Sequence, residues 1–445
     1  MELEFNVNDV NSSEKEVNIT LNYDEIKEDI ELEVKQQTKK LQIPGFRKGK
    51  VPPHIIKNKY GDALEHEASE KVANVRFWDI AKGNNLNPIG QPVMTDLDFK
   101  PGEDLKFKVK FEVLPVLDVK DYTGQTIEVP DLKVTDEEVQ KEIDYIIKSN
   151  STTEEVEQAA DGNNYILDVE MFRLDEDSTA VGDGKGENIQ IDLSKEEIKP
   201  EILEKAKGKK AGDSFTFTFD EERKIKNKDG KEENIKETFN YKASVKTVKK
   251  ITLPELNEEL IKKVTKEKIN NETDLRNEIN KDFTNYYAQK TDEFTHSKLV
   301  SMITKGNDFT PPSTMVNNVL EDMVKSEEER LKKEGLNKIS SEDLKKYLHP
   351  SAENEVKWYL IKNEILKKEK LEVTDSDLEE LAKKDAEKTG LPVEKLVSYY
   401  KTSQQSDRFL DKKLFDFLKE KNNISKVDPK KLAQTEKEEN NEKSS

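Results

Sequence analysis

The apolar positions at the start of the chain recur every second residue: Leu3, Phe5 and Val7, then Val17, Ile19 and Leu21. Period two predicts strands with one buried face. From Tyr23 to Leu41 the spacing becomes helical, with Ile26, Ile30, Val34, Thr38 and Leu41 on one side and acids crowding the first half. Pro53 is expected to open a short helix through Ile55 and Ile56 that closes at Tyr60-Gly61, and Asp62 to Gly83 predicts a longer helix holding Phe77 and Trp78. Leu105 to Leu114 alternates strictly and predicts a strand. The first domain is therefore α+β: a small antiparallel sheet carrying a helical hairpin.

Leu117 to Asn150 is a connector, extended through Val129-Pro130 and then turning into a helix at Thr135, with Thr135 and Glu138 as a capping box. A near-copy, Val373-Thr374-Asp375-Ser376-Asp377-Leu378, precedes another charged helix; we read the pair as similar local chemistry, not as a repeat. Between them, Tyr165 to Phe172, Ser214 to Phe219 and Phe239 to Val248 are strand-like and glycines cluster, which predicts a β-rich domain set into a helical context. From Leu253 onward helices are expected at 255–264, 272–304, 313–334, 341–348, 351–370, 375–389, 392–401 and 403–421, separated at Gly306, Pro311-Pro312, Gly335, His349-Pro350 and Gly390-Leu391-Pro392. Their apolar stripes are narrow, as in Val316, Val319, Leu320, Met323 and Val324, which suits protruding arms with modest cores. The polar stretch Ala433 to Ser445 lacks any apolar pattern and is expected to be disordered.

Charge changes this picture at one place. The chain carries a formal net charge of -19, yet Val34 to Gly61 holds no Asp or Glu and carries Lys35, Lys39, Lys40, Arg47, Lys48, Lys50, Lys57 and Lys59. Residues 1–117 account for only -4 of the total. A local basic island in an acidic chain points to an anionic partner. Gly45-Phe46-Arg47-Lys48-Gly49-Lys50-Val51-Pro52 lies in its middle, punctuated by two glycines and by Pro44, Pro52 and Pro53. It is a shaped loop, and a ring beside Arg and Lys on a turn suits docking to an RNA–protein surface. A solvated basic loop whose Phe46 tucks back onto its own domain stands as the alternative.

Composition bounds the remaining chemistry. With 33% hydrophobic and 38% charged residues, the chain is better suited to thinly cored helical parts than to one large enzyme core. The absence of cysteine excludes disulfides, Cys-ligated metals and thiol catalysis. The first residues have neither a basic nor an apolar leader region, so no signal peptide is expected, and no run of 18 apolar residues spans a membrane. Gly182-Asp183-Gly184-Lys185-Gly186 lacks the strand-to-helix context of a phosphate loop, and His54, His66, His296 and His349 are too scattered for a metal site or triad. No catalytic constellation is visible. Aromatic and Met residues along the helices, such as Tyr286, Tyr287, Met302, Trp358 and Phe415, are mostly core, with a minority available to line an open cleft.

Gly45-Phe46-Arg47-Lys48-Gly49-Lys50-Val51-Pro52 resembles the ribosome-docking signature G-F-R-x-G-K-x-P of the bacterial trigger factor family, with every fixed position matched. The order of parts, and Leu253-Pro254-Glu255-Leu256 after the β-rich insert, are similar too. The resemblance covers essentially the whole chain. It implies a multidomain α+β protein: an N-terminal α+β ribosome-docking domain (1–117), a connector belonging to the helical chaperone domain (118–154), an inserted FKBP-like β-rich prolyl isomerase domain (155–249), an elongated all-α C-terminal chaperone domain (250–432) and a disordered tail (433–445). It implies a cytoplasmic, ATP-independent chaperone that shields nascent polypeptides at the ribosomal exit tunnel and needs no cofactor or membrane. Gly45, Phe46, Arg47, Lys48, Gly49, Lys50 and Pro52 would meet a large-subunit protein and adjacent rRNA. Homodimerisation off the ribosome is left open.

The isomerase signature departs from the family pattern. Asp168 matches, but Val169 stands where Phe is expected, and Glu197-Ile198-Lys199-Pro200-Glu201-Ile202 lacks the expected Gly and Phe; Tyr241 matches an aromatic position. The resemblance thus gives Asp168, Val169, Ile198 and Tyr241 as a degraded pocket. Such catalysis works by desolvating and twisting the prolyl amide in an apolar cup, so the expectation is a retained fold with little or no isomerase activity. A free-standing FKBP-type isomerase with an accessory peptide-binding domain is the alternative, and a basic-loop RNA-binding protein is a third reading.

Overall fold

The computed structural model describes residues 4–40, 46, 52–157, 163–175, 181, 186–195, 197–226, 232–335, 339–403 and 405–434. It divides into two compact units: residues Met1–Asp131 with Thr291–Ser445, and Leu132–Lys290. Each is described by itself.

In the first unit, β1 (Glu4–Asp9), β2 (Glu14–Leu21), β3 (Ile89–Asp98) and β4 (Leu105–Glu112) form an antiparallel sheet in the order β1-β2-β4-β3. The strict alternation of β4 sets its register. Leu105, Phe107 and Val109 face Leu21, Ile19 and Val17 across the ladder and are all buried, while Lys106 and Lys108 point outward. Helices α1 (Tyr23–Lys40) and α2 (Pro53–Gly83) close that core with Ile26, Ile30, Val72 and Phe77. Asn22 and Asp104 accept the first amides of α1, at Asp24 and Tyr23, each at 3.0 Å. The helix break expected at Tyr60-Gly61 does not occur: α2 runs through Gly61 unbroken. One glycine costs a helix only about 1 kcal/mol, and the buried Ile56 and Leu64 on either side of it offset that. Likewise β3, unrecognised in the sequence, is an edge strand containing Pro92 with an irregular register.

The same unit holds α7 (Ser313–Lys333) and α8 (Ser341–Lys368), which share a core of Val316, Leu320, Val324, Leu344, Ala352 and Val356. The expected break at His349-Pro350 is absent. Proline removes one helical hydrogen bond, but Leu344, Ala352 and Val356 on both sides of it are buried in one cluster, which holds α8 continuous. Then come α9 (Asp375–Thr389), α10 (Val393–Thr402) and α11 (Gln405–Lys421). The second capping box forms at Thr374 and Asp377; the Lys413 ammonium, with those cap hydrogen bonds, holds the Asp377 carboxyl down at about 2. Beyond α11 the structure adds β11 (Asn423–Val427), paired in parallel with β5 (Thr126–Pro130). Val119, Tyr122, Ile127 and Val129 are thereby buried against Ile303, Ile361, Ile365 and Leu418. Residues 429–434 form a last helical turn with Leu432 buried, so Ala433 belongs to that turn, and 435–445 lie outside the described residues.

The second unit contains α3 (Asp136–Ser149), which starts at the expected Thr135–Glu138 capping box. Val139 and Ile143 pack on Ile261 of α5 (Glu258–Thr265) and on Leu275 and Ile279 of α6 (Glu272–Gly306), whose first half lies in this unit. Its sheet is β6 (Thr152–Glu155), β10 (Glu232–Thr252), β7 (Tyr165–Leu174) and β8 (Glu187–Asp192) in that order, with β9 (Ser214–Lys226) also on β10. The short α4 (Pro200–Ala206) covers one face.

Candidate functional site

The basic loop spans the gap between α1 and α2, so two helix ends fix its stems at Lys40 and Pro53. Gly45, Arg47, Lys48, Gly49 and Lys50 fall outside the described residues. Phe46 is described: 38% of its surface is exposed, and it joins none of the buried clusters among the described residues. Pro52 precedes α2 in an extended conformation (φ -60°, ψ 135°) and sets the direction in which the chain enters the helix. On the flanking turns Lys39, Lys40, Lys57 and Lys59 are exposed and, among the described residues, form no ion pair with an acidic side chain. Lys35 is 3.9 Å from Glu31 one helical turn away. The arrangement holds an apolar ring and, among the described residues, cations without an acidic partner at one end of a helical hairpin. It can bind an anionic surface that also offers an apolar contact, and it offers no catalytic group.

In the second unit Val169, Ile198 and Tyr241 come together on the α4 side of the sheet, Val169 buried and the other two half-buried. Asp168 does not join them. It points to the opposite face, as the alternation along β7 requires, where it accepts from Thr247 Oγ1 (2.6 Å) and pairs with Lys249 Nζ (2.7 Å). Those two partners, Lys249 foremost, hold its carboxyl below the usual range. The sequence reading missed the aromatic floor of this face. Phe217, Phe219, Phe239 and Tyr241 stack at 5.6–6.5 Å between neighbouring centroids across β9 and β10. Their odd-numbered alternation was the available signal. Lys199 Nζ sits 3.7 Å above the Phe219 ring and the Arg173 guanidinium 4.8 Å above Phe239.

Two family descriptions match: "Bacterial trigger factor protein (TF)" over residues 3–146 and "Bacterial trigger factor protein (TF) C-terminus" over residues 273–421, together well over half of the chain. The chain belongs to the bacterial trigger factor family. A trigger factor of Chlorobaculum parvum is 30% identical over 95% of this chain and 97% of its own length. One from Prosthecochloris aestuarii is 28% identical over 93% of this chain and 94% of its own length. A solved structure described as "Promiscuous Substrate Recognition in Folding and Assembly Activities of the Trigger Factor Chaperone" matches with a TM-score of 0.51 at 22% identity, covering 94% of this chain and 99% of that one; this is a likeness of fold.

Within this trigger factor, no group of three His, Asp or Glu side chains could hold a metal ion among the described residues. His54 and His66 are exposed on α2, His66 lying 3.8 Å from Glu70; His349 lies on α8, and His296 on α6 rests against Phe415. No helix among the described residues is long and apolar enough to cross a membrane.

Proposed function

We propose that the chain is an ATP-independent chaperone that docks beside the ribosomal exit tunnel and shields unfolded nascent polypeptides. The observation that carries this reading is the exposed Phe46 within Gly45-Phe46-Arg47-Lys48-Gly49-Lys50-Val51-Pro52, strung between the ends of α1 and α2 in a chain of the trigger factor family. Arg47, Lys48 and Lys50 would neutralise rRNA phosphates while Phe46 anchors on a large-subunit protein, with Gly45, Gly49 and Pro52 shaping the loop. Residues 1–117 then form the docking domain, 118–154 the connector, 155–249 the FKBP-like domain, 250–432 the helical chaperone domain and 433–445 a tail. The place of action is the cytoplasm. Clients leave when they bury their own apolar surface and the weak contacts lose the competition. Family membership favours this over a free-standing isomerase.

Co-sedimentation with bacterial ribosomes tests the reading. The Phe46→Ala/Arg47→Ala/Lys48→Ala chain is expected to lose ribosome binding with unchanged folding, and binding equal to the parent would overturn the loop's role. The salt dependence of the parent's binding should be steep, because several phosphates are neutralised.

We further infer that the FKBP-like domain has little or no isomerase activity. Val169 leaves one aromatic wall missing, and Lys199 and Arg173 place charges over the rings that remain. Both oppose the dry cup that a twisted prolyl amide needs. In a protease-coupled proline-peptide assay the chain is expected to run near the uncatalysed rate. Turnover comparable to an intact FKBP would refute this.

A further inference from the structure

Lys205, Lys207, Lys209 and Lys210 fall within six residues that hold no acid, at the end of α4 and in the turn that follows it. Among the described residues none of the four forms an ion pair, although Glu201 lies one helical turn before Lys205. The acid-free stretch of β10 from Thr238 to Thr252 behaves differently: Lys246 and Lys249 there are paired with Glu170 (3.4 Å) and Asp168 (2.7 Å). The last turn of a helix favours cations, which accounts for Lys205 alone, because the dipole's effect does not reach the residues beyond it. The turn itself is fixed. Gly208 closes α4 in the left-handed conformation (φ +71°), and the Lys209 amide donates to the Ala206 carbonyl at 3.3 Å. The Lys210 amide donates to the Asp213 carboxylate at 3.1 Å, and Gly212 and Asp213 are tied to Val245 of β10 by backbone bonds of 2.9 and 2.8 Å. Four like charges are thus held close together with their repulsion unrelieved, and Lys205, Lys207 and Lys210 are exposed.

The surroundings say which kind of anion fits. The apolar residues of α4, Ile202, Leu203 and Ala206, pack into the core of the sheet, and Ala211 and Gly212 beside the lysines offer no large side chain. An acidic protein partner needs an apolar centre to its interface, which this patch lacks. A nucleic-acid backbone needs only cations spaced along its phosphates, and such contacts carry no sequence. We propose that Lys205, Lys207, Lys209 and Lys210 are a second contact of the chain with rRNA, lying in the other unit from the basic loop and binding phosphates without reading bases. The proposal rests on the ribosome-docking reading and adds to it a contact that the loop signature does not include.

The test is the affinity of the full-length chain for bacterial ribosomes at several salt concentrations. The parent is compared with Lys205→Ala/Lys207→Ala/Lys210→Ala and with Lys205→Arg/Lys207→Arg/Lys210→Arg. Each phosphate contact adds about 0.7–0.9 to the slope of log affinity against log salt, so losing three should lower the slope by about two. Raising the salt from about 50 to about 200 mM is then expected to weaken the parent roughly fifteenfold more than the Ala variant. The Arg variant should keep the parent's slope, and all three chains the same Tm, because the substituted side chains are exposed. The same loss of slope is expected with deproteinised large-subunit rRNA. An unchanged slope in the Ala variant, an equal loss in the Arg variant, or a loss confined to intact ribosomes overturns the rRNA contact. If the Phe46→Ala/Arg47→Ala/Lys48→Ala chain fails to bind ribosomes in that case, the docking reading survives. A parent chain that does not co-sediment with ribosomes overturns both.

Discussion

A Phe77→Ala chain is expected to lose ribosome binding although every residue of its basic loop is intact. Phe77 is 1% exposed, and its ring lies 5.5 Å from that of Phe111 on β4. It joins α2 to the cluster in which Ile26 and Ile30 of α1 meet Val17 and Ile19 of β2. Truncating such a residue costs about 3–5 kcal/mol, from lost transfer energy and the cavity left behind. That is most of what a domain of this size has to spare. The loop's stems at Lys40 and Pro53 stay in place because this core pairs α1 with α2, helped by the Arg76–Asp29 ion pair at 2.6 Å. Amide exchange along β2 and β4 and ribosome co-sedimentation would be measured on the same sample. Native protection combined with lost binding would mean that Phe77 does not act through the core, and native protection with full binding would sink the prediction.

The second large effect is expected where the N-terminal sheet meets the start of α7. The helix begins after Pro312, which has no side chain to cap it. Glu112, the last residue of β4, supplies the cap from a distance. Its carboxylate accepts from the backbone amides of Ser313 (2.8 Å) and Thr314 (3.0 Å) and from the Ser313 hydroxyl. Ser12 and Ser13 donate to the Thr310 carbonyl at 2.9 and 2.7 Å. Gly90 sits over Thr314 with φ +68°, and a Cβ there would come within 2.6 Å of the threonine oxygen. Gly90→Ala is expected to cost about 2–4 kcal/mol, from the left-handed backbone and the overlap together. It should also open the 307–314 segment to protease while the sheet itself stays folded. Wild-type resistance to cleavage would show that the junction absorbs the methyl group. Burial pushes the Glu112 carboxyl up, but the bonds from Ser313 and Thr314 outweigh it and hold it below its usual value. Its contribution is therefore complete above the ordinary carboxylate pKa and is lost as the pH falls through the lowered one.

Much of this could be read along the chain because it depends on near neighbours. The alternation of Leu105 to Leu114 named the strand that the structure forms over Leu105–Glu112, and Thr135 with Glu138 named a helix start to the residue. The break between two helices at the basic loop was legible for the same reason: glycine, proline and charge act locally, and α1 and α2 do flank it. The grouping of the four residues that the resemblance assigns to an isomerase pocket was only half legible. Val169, Ile198 and Tyr241 share one side of the sheet, but the pleat sends Asp168 to the other. The stacked floor of Phe217, Phe219 and Phe239 needed the register of β9 on β10.

From the sequence alone came most of the helices, the strands within 1–21 and from Leu105, the basic island and the family, all carried by residues close together in the chain. The tertiary structure decided where a helix could ignore its breakers, at Gly61 and Pro350, because burial on both sides outweighs a local penalty. It decided the parallel pairing of β5 with β11 across some 300 residues, and the cap that Glu112 lends to α7. Among the described residues it also left the buried Thr304 hydroxyl without a hydrogen-bond partner. Each of these depends on which distant surfaces meet, and no periodicity along the chain encodes that.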